Sequence, residues 1–271
     1  MPELPEVETT RRGIAPALLQ RRVVELIVRD RRLRWPIVAG LENSLRGLTV
    51  RSVERRAKYI LIGFDAGTLI LHLGMSGSLR LVKPGTDLKT HDHWDLGLDS
   101  GWVLRFHDPR RFGSLHWTDG DPQLHPLLAK LAPEPLSAAF DGDYLYRATR
   151  KRSVAIKQLI MNSQVVVGVG NIYASEALFR AGVAPRRAAR RLTRKQAVSL
   201  AMAIKSVLSA AIKIGGTTLR DYVNADGAPG YFRQKLFVYE RAGAACRVCK
   251  SVIKQFAQGQ RSTYWCAVCQ R

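Results

Sequence analysis

No cysteine occurs before Cys246 in this chain of 271 residues. A disulfide framework running through the fold is therefore excluded, and a reducing, cytoplasmic setting is expected. No stretch approaches the roughly 18 uninterrupted apolar residues that a membrane-spanning helix needs. No lipidation motif is visible either, so no membrane partner is expected. The N-terminus is acidic and lacks an apolar core segment, which speaks against a secretory signal. There is no internal repeat, and no low-complexity tract beyond one arginine cluster. Acidic residues are also scarce: 22 Asp and Glu stand against 43 Lys and Arg, a formal charge of +21. Between Ala177 and Arg220 there is none at all. Such an excess speaks about partners, not fold, with nucleic acid first and an anionic membrane surface second. The 46% of hydrophobic residues suffices for one large core or two ordinary ones.

Leu4, Val7, Ile14 and Leu18 recur at helical spacing and predict a helix from Leu4 to about Gln20. Pro5 is tolerable there only because it lies in the first turn. Short runs rich in β-branched and aromatic residues follow at Val23–Val28, Leu48–Val53, Tyr59–Phe64, Thr68–Leu73 and Ser78–Val82. The string DSGWVLRF marks a hairpin between Trp94–Leu98 and Val103–Phe106. Strands joined by short turns predict a two-layer sandwich. Pro122, Pro126, Pro133 and Pro135 mark a linker. Beyond it the period becomes helical, at Tyr144–Met161, Gly170–Ala181 and Thr193–Ile214, with Thr193 as N-cap. Three parts are expected: residues 1–130, 131–234 and 235–271.

The spacing Cys246-x-x-Cys249, then Cys266-x-x-Cys269, falls in the range of four-cysteine zinc ribbons. Two disulfides are the alternative. With four thiolates and no open position, such a zinc is structural. Its hairpin carries Arg261, which is either a phosphate clamp or a solvated tip. Gly168 and Gly170 precede a helix whose N-terminus could meet a phosphate. Tyr173 occupies the place of the third glycine that a dinucleotide fold would want, so that reading fails. At the other end, removal of Met1 would leave Pro2 as a free secondary amine beside Glu3. With an α-amino reference pKa of about 8, part of it is unprotonated near neutrality and able to attack an electrophilic carbon. The bland alternative is an ordinary helix start, since Pro and Glu are both favoured in a first turn.

The opening octapeptide resembles, residue for residue, the start of the bacterial formamidopyrimidine-DNA glycosylases. These are bifunctional enzymes that excise oxidised purines such as 8-oxoguanine. DPRRFG (Asp108–Gly113), VVVGVGNIYASEALF (Val165–Phe179) and the four cysteines resemble the family in the same order. The resemblance implies an α+β fold: an N-terminal helix with a two-layer β-sandwich, then a helical domain with a helix–two-turn–helix motif and a C-terminal four-cysteine zinc ribbon. It implies damaged double-stranded DNA as partner, a monomer, and one structural zinc on Cys246, Cys249, Cys266 and Cys269.

The resemblance also implies roles for single residues. Pro2 would be the nucleophile forming an iminium, and Glu3 would manage proton transfers before β- and δ-elimination. Lys58 and Arg261 complete the catalytic set by gripping the phosphates around the lesion. His72, His91, Lys157, Asn171 and Tyr239 would contact DNA. Met75, Arg110 and Phe112 would fill the hole left by the flipped nucleotide, while Glu6 and Glu176 support the site. Gly215–Phe232 is similar to the family's mobile loop over the flipped base. The sister enzyme endonuclease VIII, acting on pyrimidines, is the nearest rival, and a non-catalytic DNA-binding protein is the rival from another class. PELPEVE together with Met75, Arg110 and Phe112 points to the purine enzyme.

Overall fold

The computed structural model describes residues 2–215 and 236–271. Two compact units emerge: the described residues up to Ala129, and Lys130–Lys213 with the described residues from Leu236 onwards.

The first unit opens with α1 (Leu4–Leu18), which carries Pro5 in its first turn and buries Leu4, Val7, Ile14 and Leu18. After it come β1 (Val23–Val28), the short α2 (Leu41–Leu45), β2 (Val50–Arg56), β3 (Tyr59–Phe64), β4 (Gly67–His72), β5 (Ser78–Val82), β6 (Asp92–Leu98), β7 (Val103–His107) and β8 (Ser114–Thr118). They form two four-stranded antiparallel sheets, ordered β1-β6-β7-β5 and β2-β3-β4-β8. Apolar residues from both sheets and from α1 make one core, in which Trp94 and Phe106 stack at 5.3 Å. The helix packs on β2, β3 and β5, so its N-terminus is fixed to the sandwich from its first turn.

The second unit contains α3 (Gly142–Thr149), α4 (Ile156–Ile160), α5 (Asn171–Arg180), α6 (Arg194–Lys213) and the hairpin of β9 (Lys254–Gln258) and β10 (Arg261–Trp265). By length and composition α6 could cross a membrane. Leu200, Ile204, Val207, Leu208 and Ala211 instead form a buried stripe, and α3 and α5 pack against the helix.

Four elements differ from what the sequence predicts, one of them the short α2, for which no helix is expected. The single helix expected at Tyr144–Met161 is two. After α3, Lys151 takes a left-handed conformation (φ 60°), and Ala155 pairs in an antiparallel bridge with Ala188. The bridge engages backbone groups that a continuous helix would need. The strand expected at Leu48–Val53 runs instead over Val50–Arg56, because pairing with β3 carries it through two arginines. Strand β8 has no counterpart among the predicted strands, its sequence SLHWT being short and half polar. The Gly215–Phe232 loop lies, apart from Gly215, outside the described residues.

Thr193 caps α6: Gln196 N donates to its Oγ1 at 3.2 Å, while Thr193 N donates to Gln196 Oε1 at 3.1 Å. Reciprocal bonds of this kind satisfy two otherwise orphaned donors. Thr193→Ala should therefore destabilise the second unit by about 1 kcal/mol. Urea unfolding followed by a probe in that unit checks it; an unchanged midpoint would deny the cap any role.

Candidate functional site

The expected functional residues fall into one group in each unit. In the first, Pro2 and Glu3 are buried at the start of α1, and Glu6 is fully buried one turn on. Glu3 N donates to Glu6 Oε2 at 2.9 Å, which pins the backbone next to Pro2. Glu8 extends this anchoring: Arg11, Arg12 and Arg55 all bond to it, the last at 3.2 Å. Burial would raise the Glu8 pKa, but these guanidinium groups hold it below the ordinary carboxylate range. Arg55 Nη1 also donates to Ala57 O at 2.9 Å. Ala57 and Lys58 are the two-residue turn between β2 and β3, and Ala57 is left-handed at φ 55°. One carboxylate on α1 thus holds the turn that presents Lys58.

His72 ends β4, opposite Tyr59 and beside Ser114. Its Nδ1 accepts from Gly74 N at 2.9 Å, so in the neutral ring Nε2 carries the proton. Burial, then Lys58, Arg34 and His116, push its pKa down to about 4.

Asp108, fully buried, joins three further segments of the first unit. Its Oδ1 accepts from Ser76 Oγ at 2.7 Å and its Oδ2 from Gly113 N at 2.8 Å. Asp108 N donates to His91 O at 3.1 Å, and the Asp108 carbonyl meets His93 Nε2 at 2.7 Å. The turn with Met75, the turn with Arg110 and Phe112, and left-handed His91 (φ 75°) are therefore tied to one residue. Gly74 (φ 67°) lets the first two turns touch, since a Cβ there would lie 2.4 Å from Gly113 N. Met75 and Phe112 are exposed, at 36% and 41%, in a protein with the apolar interior to bury them. Arg110 is exposed, its guanidinium 5.0 Å from the Phe112 ring. Arg111 is turned into an ion pair with Asp30 at 2.8 Å.

In the second unit, Asn171 is the first residue of α5 and its Nδ2 donates to Ser262 O at 3.0 Å. Lys157 departs from the expectation of a DNA-facing cation. It is 1% exposed, and its Nζ donates to Asn171 Oδ1 at 2.6 Å, Thr263 Oγ1 at 2.7 Å and Ser262 O at 3.3 Å. An ammonium has three donors, and these bonds employ them in docking the hairpin onto α4 and α5. Arg261 is exposed where β10 begins, beside the two-residue turn Gly259–Gln260, whose φ of 55° and 59° define a tight hairpin. Glu176, 1% exposed, accepts from the backbone N–H of Phe237, Val238 and Tyr239 at 2.8, 2.9 and 2.9 Å. Burial pushes its pKa up, against the pull of those three donors. The Tyr239 ring meets Tyr264 of the hairpin edge-on at 5.1 Å.

The Sγ atoms of Cys246, Cys249, Cys266 and Cys269 all lie within 4.8 Å of one another, Cys249 and Cys266 at 3.4 Å and Cys246 and Cys269 at 3.9 Å, and none is in a disulfide. A tetrahedron of sulfurs about 2.3 Å from zinc has edges of about 3.8 Å, so the donor set fits that ion. Ser251 Oγ, 2.9 Å from Cys249 Sγ, draws that thiol down to about 6, while burial and the neighbouring thiols push Cys269 up to about 12, so the four sulfurs share charge as one cluster. The four cysteines form the site of one structural zinc.

Comparison with known proteins places this geometry. Residues 1–115 match the formamidopyrimidine-DNA glycosylase N-terminal domain, 131–223 its H2TH domain, and 243–271 a zinc finger found in FPG and IleRS. The chain belongs to the formamidopyrimidine-DNA glycosylase family. That family consists of DNA glycosylases and AP lyases, enzymes of base-excision repair. The formamidopyrimidine-DNA glycosylase of Thioalkalivibrio sulfidiphilus is 62% identical over the full length of both chains. The crystal structure of MutM (Fpg) from Thermus thermophilus is 38% identical, with a TM-score of 0.89 over 99% of this chain and 98% of that one. A Lactococcus lactis Fpg variant, solved in complex with Fapy-dG-containing DNA, is 30% identical with a TM-score of 0.93 over the whole of both chains.

Asp108, Ser76, His93 and Glu8 do not stand out as candidates in the sequence. A carboxylate between aromatic and proline residues gives no periodic signal, and its importance lies in contacts with turns distant in the chain. The one available hint is its place at the head of DPRRFG, where an acidic residue commonly bonds backbone N–H groups ahead.

The state of His72 can be measured directly. An unfolded histidine titrates near 6.5, so this ring stays neutral in the free protein and its burial destabilises the fold as pH falls from about 6.5 towards 4. Its NMR Cε1 resonance should titrate with a midpoint of about 4. A midpoint near 6.5 would contradict the buried, cation-flanked environment described.

Proposed function

We propose that this protein removes oxidised purines, including formamidopyrimidines and 8-oxoguanine, from duplex DNA through an iminium at Pro2, and acts as a monomer in the bacterial cytoplasm. The observation that carries the mechanism is the buried N-terminus of α1, where the Glu6 carboxylate fixes Glu3 N at 2.9 Å beside Pro2. Met1 lies outside the described residues, and its removal is a condition of the reading.

In the proposed sequence the Pro2 nitrogen bonds to C1′ of the damaged nucleotide as the C1′–N bond to the base breaks, and the proton lost from that nitrogen goes to the departing base. Glu3 delivers a proton while the sugar ring opens, giving a cationic iminium between Pro2 and C1′. That cation acidifies the protons on C2′. Loss of one expels the 3′ phosphate by β-elimination, and a second elimination expels the 5′ phosphate. Lys58, neutral His72 through its Nε2–H, Asn171 and Arg261 are assigned to phosphate oxygens. Lys157 is assigned to positioning Asn171 and the hairpin, and Glu176 to fixing the segment that carries Tyr239. His91 and Tyr239 are assigned to flanking DNA. Met75, Arg110 and Phe112 are assigned to the space left by the extruded nucleotide, their exposure being the support for that role. The boundaries 1–130, 131–234 and 235–271 are proposed as three functional parts.

Borohydride reduction on a duplex with 8-oxoguanine opposite cytosine tests the nucleophile. Peptide mapping should find the sugar on Pro2, and an adduct on Lys58 would overturn the assignment. Glu3→Gln should bind damaged DNA while losing base excision.

Arg110 is assigned to the base opposite the lesion. Cytosine presents two adjacent acceptors, N3 and O2, to a forked guanidinium, whereas adenine sets an amino donor against it. That difference should be worth about 1–3 kcal/mol. Arg110→Ala should lower the cytosine-over-adenine ratio of single-turnover excision rates, mainly through lost activity opposite cytosine. An unchanged ratio would remove Arg110 as the reader.

A further inference from the structure

The arginine-rich segment to which the sequence gives no purpose acquires a neighbour in the folded chain. Arg186, Arg187, Arg190, Arg191, Arg194 and Lys195 lie between α5 and the first turn of α6. The loop after α3 brings Arg150, Lys151 and Arg152 against them. Arg190 N donates to Arg152 O at 2.9 Å, Ala189 N to Val154 O at 2.9 Å and Ile156 N to Arg187 O at 2.8 Å, around the Ala155–Ala188 bridge. Two basic segments about 35 residues apart are thus zipped into one ridge with a rigid backbone.

Some of these cations are engaged within the protein. Arg194 pairs with Asp143 at 2.8 Å. Arg150 donates to Leu192 O at 2.7 Å, Arg187 to Gln196 Oε1 at 3.0 Å, and Arg186 lies 3.6 Å from the Phe256 ring centre. Lys151, Arg152, Arg190, Arg191 and Lys195 are exposed, and none forms an ion pair among the described residues. In the first unit Asp30, Glu42, Asp65, Asp92 and Asp95 each hold one or more arginines, whereas among the described residues of the ridge Arg194 has a carboxylate partner, Asp143. A ridge of unneutralised like charges repels itself, and a polyanion laid along it removes that repulsion.

We propose that this ridge is a second binding surface for the phosphate backbone of duplex DNA, one that engages undamaged duplex and not the lesion. The inference rests on the reading of the protein as a DNA enzyme and extends it. Two observations choose duplex over other polyanions. The large apolar residues exposed beside the ridge are Val154 and Val198, and the aromatics between residues 146 and 195, Tyr146, Tyr173 and Phe179, are not exposed. Single strands are held on aromatic platforms, and protein interfaces centre on buried aromatic anchors. Guanidinium groups on a fixed backbone suit the regular phosphates of a duplex. The ridge also adjoins the hairpin of its own unit that carries Arg261, since Arg186 lies over Phe256 of β9.

The test uses the full-length protein with Lys151→Ala, Arg152→Ala, Arg190→Ala and Arg191→Ala combined, and a second variant with Arg152→Lys, Arg190→Lys and Arg191→Lys. Affinity is measured against salt on undamaged duplexes of about one and about four helical turns. Single-turnover excision is measured at saturation on the short duplex carrying a lesion. On the long duplex the alanine variant should bind at least tenfold more weakly, with a log–log salt slope shallower by about 0.9 for each phosphate left unneutralised. Excision on the short duplex should be unchanged, and the lysine variant should keep the wild-type slope. Unchanged affinity and slope on the long duplex would overturn the proposal. So would an equal loss on short lesion DNA, which would make the ridge part of the lesion site, or preferential loss of single-strand binding. Failure of the wild-type protein to excise, with the slope change intact, would sink the catalytic reading and leave the ridge standing.

Discussion

Three of the functional segments of this molecule are held by buried carboxylates that accept backbone N–H groups. Glu6 takes the N–H of Glu3 and fixes the start of α1. Asp108 ties the turns carrying Met75, Arg110 and Phe112 to the His91 segment. Glu176 takes three consecutive N–H groups where the chain enters its last part. Bonds from N–H to a carboxylate are short and strong because one partner carries full charge, and removing that partner leaves buried donors with nothing to bond. Turns that would otherwise move are thereby held in place without being packed in apolar residues.

This use of acids bears on how charge is distributed, not on its sum, which is set by 43 Lys and Arg against 22 Asp and Glu. Only 22 Asp and Glu occur, and Glu3, Glu6, Glu8, Asp92, Asp95, Asp108 and Glu176 are all buried. Glu8, Asp92 and Asp95 pair with arginines, while Glu6, Asp108 and Glu176 bond backbone N–H groups, so these three do little to offset the basic exterior.

How far the sequence reveals this depends on the range of each interaction. Regular strands, α1, α6 and its Thr193 cap are legible, since period and capping are local. The cysteine cluster is legible because metal ligands come at fixed short spacings. The break after α3 is not, because the Ala155–Ala188 pairing that causes it joins residues far apart in the chain. Nor is the burial of Lys157: in sequence it is one more cation, and only the docked hairpin surrounds it with acceptors. Asp108 is hidden for the same reason. Residues that hold distant turns together carry no periodic mark.

The burial of Lys157 makes its amine a chemical clock for the hairpin. Acylating reagents attack an unprotonated, accessible lysine, and this one is 1% exposed with its N–H bonds directed at Asn171, Ser262 and Thr263. While the hairpin stays docked the amine is out of a reagent's reach, whereas Lys151 nearby in the chain is open to it. The labelling rate of Lys157 relative to Lys151 therefore counts how often β9 and β10 lift away. The interaction that holds the hairpin also records each departure.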